Sequence, residues 1–242
     1  MICPKCELEQ PDGGTECARC GIVFAKVRRT PGTQQTYARP SPRDEPQPAP
    51  EATTPHGEST LPVIAQVPVL LILLYFSWRV IPSSLASNAA GHSFMHLINL
   101  PFHEAGHVFF RFFGRFMHSL GGSLGQFLMP LICFVALKYK TRDPFGAAVC
   151  LWWFGENFVD MAPYMNDARS LSLPLLGGNF GYSTPYGFHD WQFLLTESGL
   201  LRYDHAIART SHLIGSLLML AGIAWGARRM MRQWRADRRS PP

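Results

Sequence analysis

Between residues 61 and 137 the only charged side chains are Arg79, Glu104, Arg111 and Arg115. A run this apolar needs either a large protein interior or lipid around it, because each ionisable group at membrane depth costs a few kcal/mol. The chain has 242 residues, 47% of them hydrophobic and 16% charged. An ordinary soluble domain is about 25% charged. The mean hydropathy of +0.01 averages a polar stretch over residues 1–60 with an apolar remainder. A single soluble globule and a wholly disordered chain are both excluded. A polar head followed by a membrane body is expected.

Three segments match a hydrocarbon core of about 30 Å: 63–81, 120–137 and 205–227. Segment 144–163 is apolar but carries Glu156 and Asp160. Segment 94–116 is apolar but carries His96, His103, Glu104, Arg111 and Arg115. Charged groups at such depth face a protein interior or a water-filled cavity. Pro101 fits the first turn of a helix, so a helix is expected from Pro101 to a break at Gly121-Gly122. That helix is short for a span, which makes this segment re-entrant.

Lys138, Lys140 and Arg142, and the arginines at 228, 229, 232, 235, 238 and 239, mark cytoplasmic ends. The last group forms a basic tail over 230–242 that would touch anionic lipid headgroups. The net charge of +5 sits largely there, with no nucleic-acid-binding motif beside it, so no nucleic-acid partner is expected.

Cys3-Pro-Lys-Cys6 and Cys17-Ala-Arg-Cys20-Gly21 are two C-x2-C knuckles close together. Each aims two thiolates at one point, and four thiolates saturate a tetrahedral ion. A structural zinc in a ribbon over residues 1–26 follows, on a reducing and hence cytosolic side. A segment this small draws its folding energy from the metal. Residues 27–60 hold seven prolines, at positions 31, 40, 42, 46, 48, 50 and 55, and read as a disordered linker. The expected architecture is therefore mainly α. A polytopic α-helical membrane bundle over 61–229 is preceded by a small zinc ribbon and the linker. Both termini are expected in the cytosol, and the inner membrane of a bacterium is the expected setting.

His103-Glu104-Ala105-Gly106-His107 has the H-E-x-x-H spacing. On a helix, residues i and i+4 share a face, so both imidazoles can bind one zinc. Glu104 beside them can take a proton from a water that the zinc has acidified. A catalytic zinc needs a third protein ligand. Asp160 is the first candidate, being the deepest acid on the helix face of Glu156, Asp160, Tyr164 and Asp167. His189, in the Gly-rich stretch around Gly177-Gly178, Gly181 and Gly187, is the other. Asn157 could steady a ligand or a substrate backbone. His96 lies two turns before His103, about 10 Å away along a helix, too far to bind the same ion. Gly121-Gly122-x-x-Gly125-Gln126 suits close packing against the metal helix, with Gln126 hydrogen-bonding inside the bundle.

These residues resemble the site-2 protease group of intramembrane zinc metalloproteases. The resemblance spans roughly residues 94–165. It implies that His103, His107 and Asp160 hold a catalytic zinc and that Glu104 is the general base. It also implies that the substrate is a membrane protein cut at a peptide bond. Met161 stands after Asp160, where that family usually has Gly. The ribbon would recruit a cytosolic protein partner. The competing reading is a non-catalytic membrane protein in which the ribbon is an interaction module and the buried polar residues hold helices together.

Overall fold

A computed structural model of the chain describes residues 2–26 and 59–239. Contacts divide the chain into two units, Met1–Ala52 and Thr53–Pro242. The expected linker lies outside the described residues over 27–58. Its last two residues, Ser59 and Thr60, belong to the second unit.

The first unit is two knuckles of the same build. In each, the first cysteine's N–H donates to the carbonyl five residues on, and its carbonyl accepts from the residue four on. Cys3 pairs in this way with Leu8 and Glu7, and Cys17 with Ile22 and Gly21. The fourth residue sits in the left-handed region both times, Gly21 at φ 67° and Glu7 at φ 57°. Glycine adopts that conformation freely, whereas Glu7 does so against its own Cβ.

The second unit is helical: α1 (Val63–Val80), α2 (Phe94–Phe110), α3 (Arg115–Val135), α4 (Pro144–Asn166), α5 (Asp190–Glu197) and α6 (Asp204–Asp237). The helical stretches containing α1, α3 and α6 are long and apolar enough to cross a membrane. These are the three segments the hydropathy singled out. Their outer faces expose Ile64, Leu71, Ile72 and Trp78, then Leu128, Leu131 and Ile132, then Leu213, Leu217 and Leu220. An apolar surface this continuous belongs against lipid rather than water, which marks the chain as a membrane protein.

Helix α4 is the central element, packed against α6, α3 and α1. Trp152, Val159 and Met219 form its core with Leu73, Val80 and Ala90. Asp143 caps the start of α4 by accepting the N–H groups of Phe145 and Gly146. The Ser59 and Thr60 hydroxyls donate to the same carboxylate at 2.9 and 2.7 Å. Pro144 follows at the first helical position, where its missing N–H is of no consequence.

Two expectations about α2 and α3 are corrected. The helix does not begin at Pro101 but runs unbroken from Phe94 to Phe110, because the Ser93 hydroxyl caps it by accepting the His96 N–H. Asn99 is thus helical. Lost backbone bonds at a proline inside such a helix are tolerated where neighbours pack around it. Nor is Gly121-Gly122 a break. The chain turns at Gly114, φ 94°, and α3 runs on through both glycines. Their role is proximity. A Cβ on Gly106 would strike the Gly121 carbonyl, and one on Gly125 would strike the Phe102 carbonyl. Helices α2 and α3 therefore touch backbone to backbone. The expected tail from residue 230 is also not a separate element, since 230–237 continue α6.

Gly155 and Gly215 make the same kind of contact between α4 and α6, each within 3 Å of the other's carbonyl if a Cβ were added. Gly155→Val should destabilise the helical unit by on the order of 1–3 kcal/mol. Thermal unfolding in detergent would show this as a lower midpoint, and an unchanged midpoint would mean that α6 can slide to make room.

Candidate functional site

His103 and His107 lie one turn apart on α2, their ring centroids 4.8 Å from each other. Helix α3 crosses beside them at Gly122, where a Cβ would come within 2.5 Å of the Nε2 atoms of both. Only glycine leaves that space open. Residue by residue, the surroundings then determine which nitrogen of each ring carries a proton.

Asp160 is a carboxylate, which can only accept. Its Oδ2 takes the side-chain N–H groups of Gln126 at 2.8 Å and Asn99 at 3.1 Å. The Gln126 amide nitrogen is thus committed to Asp160, which turns its Oε1 toward His103 Nδ1 at 3.1 Å. A carbonyl oxygen there requires a proton on Nδ1. For His107, Nδ1 donates to the His118 backbone carbonyl at 2.8 Å, while His118 Nδ1 donates back to the His107 carbonyl at 2.9 Å. In both rings, neutral imidazole leaves Nε2 with a lone pair.

Those two lone pairs face a third acceptor. Asp190 Oδ2 lies 3.5 Å from His103 Nε2 and 3.3 Å from His107 Nε2. The other Asp190 oxygen accepts the Ser119 hydroxyl at 2.7 Å. With both rings neutral, three acceptors surround one point, an arrangement that could hold a cation; without one, a protonated ring would donate its Nε2–H to Asp190. All three atoms lie within 4.8 Å of one another, and two imidazoles with one carboxylate are a donor set suited to a divalent metal. The outer partners fix ring orientation in the way metal-ligating histidines generally require.

Asp190 opens α5 and is placed there by its neighbours. His189 caps α5, its Nδ1 accepting the Gln192 N–H at 3.1 Å. The His189 ring packs on Tyr164 with centroids 4.1 Å apart, and the Tyr164 hydroxyl accepts the Asp190 N–H at 3.0 Å. Asp167, at the end of α4, gathers Ser170, Ser172 and the Leu173 N–H and lies 3.4 Å from His189 Nε2. Both ends of the 168–189 loop are thereby tied to α4.

The structure brings His103, His107 and Glu104 to one cavity of about 820 Å³. It does not bring Asp160 or His189 to the histidine pair as a ligand. Asp160 lines the same cavity, but its oxygens accept from Asn99, Gln126 and His96. His189 is buried on the far side of Tyr164. Asn157 turns away and donates to Trp153 on its own helix. Asp190, His118 and Ser119 were not apparent from the sequence, and Gly122 was read there only as a break and a packing residue. Asp190 adjoins the candidate His189, but nothing in the order of residues separates a capping histidine from a ligating aspartate.

In the first unit, the sulfurs of Cys3, Cys6, Cys17 and Cys20 also lie within 4.8 Å of one another, and none is in a disulfide. The backbone N–H groups of Cys20 and Arg19 draw the Cys17 thiol down to about 6. Although the Leu8 N–H pulls the other way, burial and the neighbouring sulfurs push Cys6 up to about 12. The cluster could hold one metal ion. No protein-family model, curated protein or solved structure matches the chain.

Two measurements follow, with zinc as the probe ion. Asp190→Ala should abolish binding at the histidine pair, whereas Asp160→Ala should weaken it about 10- to 100-fold through loss of Gln126 orientation. Competition with a chromophoric chelator would rank them, and the reverse order would restore Asp160 as the ligand. Glu7→Gly should raise the affinity of the four-cysteine site by roughly tenfold, the release of about 1–2 kcal/mol of left-handed strain.

Proposed function

We propose that the protein is a zinc-dependent intramembrane metallopeptidase that hydrolyses peptide bonds of membrane proteins. The observation that carries the reading is the convergence of His103 Nε2, His107 Nε2 and Asp190 Oδ2, three metal-ligating atoms within 4.8 Å of one another, at the wall of an open cavity. A purely structural metal site is closed by its ligands, whereas a catalytic one keeps a position open. Glu104 lines the same cavity next to both histidines, and a structural site has no use for a carboxylate there.

The ion held by His103, His107 and Asp190 would supply Lewis acidity, polarising a carbonyl and making water nucleophilic near neutral pH. Glu104 then accepts the proton of the water that attacks the peptide carbonyl. It returns that proton to the amine nitrogen as the C–N bond breaks. Gln126 and the His118 carbonyl hold the two imidazoles against rotation throughout. The walls of the cavity include Leu100, Val108, Met161 and Leu173 to Leu176, which suit an apolar substrate segment. The resemblance to the site-2 protease group agrees with this chemistry, with Asp190 taking the role first given to Asp160.

The four-cysteine unit holds a structural zinc and serves as a cytosolic recruiting module for a protein partner. The arginines at the end of α6 and Lys138 and Lys140, which follow α3, face the cytosol, in contact with anionic lipid. A bacterial inner membrane is the setting this topology fits.

The protein purified in detergent should carry two zinc ions per chain, falling to one in His103→Ala/His107→Ala. Glu104→Gln should keep both ions and lower hydrolysis of a reference transmembrane peptide at least 10²- to 10⁴-fold. Unchanged zinc content in the double variant, or full activity in Glu104→Gln, would defeat the peptidase reading.

A further inference from the structure

We propose that His96 is a second binding group of this cavity, one that receives a substrate carboxylate about 10 Å from the metal site. The proposal rests on the peptidase reading and adds to it a class of substrate.

His96 lines the cavity, its side chain 37% exposed. Its Nδ1 lies 2.9 Å from Asp160 Oδ1. Asp160 can only accept, so Nδ1 donates and the ring is held by that edge. The opposite edge, Nε2, has no hydrogen-bond partner among the described residues. The Asp160 hydrogen bond raises the proton affinity of His96, outweighing the opposite pull of burial. Doubly protonated, the ring presents Nε2–H as a charged donor.

The surroundings make this end of the cavity selective. Asn88 and His92 line it beside His96. The carboxylate at this end, Asp160, is already engaged by His96, Asn99 and Gln126. The polar groups left uncommitted at this end are the side chains of Asn88 and His92 and the Nε2 edge of His96. The first turn of α2 adds the partial positive charge of a helix N-terminus. At the other end stand the three metal-facing acceptors and Glu104. The cavity is thus polarised along α2.

Helix geometry gives the spacing. His96 and His103 are seven residues apart on one continuous helix, nearly two full turns, and so lie on the same face about 10 Å apart along the axis. An extended peptide covers that distance in about three residues. A substrate with its scissile carbonyl at the metal would place the third residue along at His96. An aspartate side chain there, or a free C-terminal carboxylate, would form a charge-assisted hydrogen bond with Nε2.

Peptidyl hydroxamates, anchored at the zinc by their head group, test this on the zinc-loaded full chain in detergent. Each carries two apolar residues and then a third. That third residue is Asp with an amidated end, Asn with an amidated end, Ala with a free carboxylate, or Ala with an amide. The carboxylate-bearing probes should bind about tenfold more tightly than their neutral counterparts, and the Asp or free-Ala arm that does so identifies which carboxylate is read. His96→Asn keeps a donor toward Asp160 but lacks Nε2. It should erase the preference while leaving zinc content and the affinity of the neutral probes unchanged. Absence of a charge preference, or a preference that survives His96→Asn, overturns the proposal. Failure of the peptidase reading looks different: it is read as unchanged zinc content in His103→Ala/His107→Ala or full hydrolysis in Glu104→Gln, neither of which depends on the charge of the third residue.

Discussion

The contact on which the rest of the second unit depends is the bare seam between α2 and α3. Gly106, Gly121 and Gly125 let the two backbones meet with no side chain between them. One further glycine on the same helix, Gly122, leaves a gap that both metal-facing imidazoles occupy. The closeness brings Gln126 within reach of His103 Nδ1, and the His118 carbonyl within reach of His107 Nδ1. A methyl group at any of these positions would push α3 away and take the orienting partners with it. Small residues commonly serve helix packing in membranes. Here the same residues also set the hydrogen-bonding state of a candidate metal site.

A second constraint runs outward from that seam. Asp160 is buried on the central helix and accepts from three residues on two other helices: His96 and Asn99 on α2 and Gln126 on α3. Asn99 is itself held by Trp153 and Glu156 on α4. Buried polar groups of this kind are costly when unpaired and specify one arrangement when paired. The network links a cavity-facing histidine, His96, to a metal-facing one, His103, through a carboxylate and an amide. Asp160 thereby belongs to the site without touching the metal position.

Much of this was legible in order of residues. The three long apolar helices, the two cysteine knuckles and the His103–Glu104–His107 constellation follow from hydropathy and spacing, both local properties of a chain. The glycines were legible as packing residues, but Gly121-Gly122 was read as a break, because local propensity penalises glycine in a helix while tertiary packing rewards it. Pro101 misled in the same way. A proline signals a helix start, yet the Ser93 cap and the neighbours around Asn99 carry the helix through it. Asp160 was singled out as the third metal ligand; it is a buried acid on α4, but the carboxylate grouped with the histidine pair is that of Asp190. The distance of Asp160 from the histidines was not legible, because an acid that orients a ligand and an acid that is one look alike in sequence.

The sequence by itself determined what could be made: helices that need lipid, four thiolates for one ion, and two imidazoles on one helix face with a carboxylate between them. Those outcomes rest on contacts within a few turns of one chain segment. Only the tertiary structure decided which acid completes the histidine pair. Asp190 reaches it because the 168–189 loop is tied back onto α4 through Asp167, His189 and Tyr164. Which nitrogen each imidazole offers was decided there too. That choice depends on hydrogen-bond partners far away in sequence, and no local pattern encodes them.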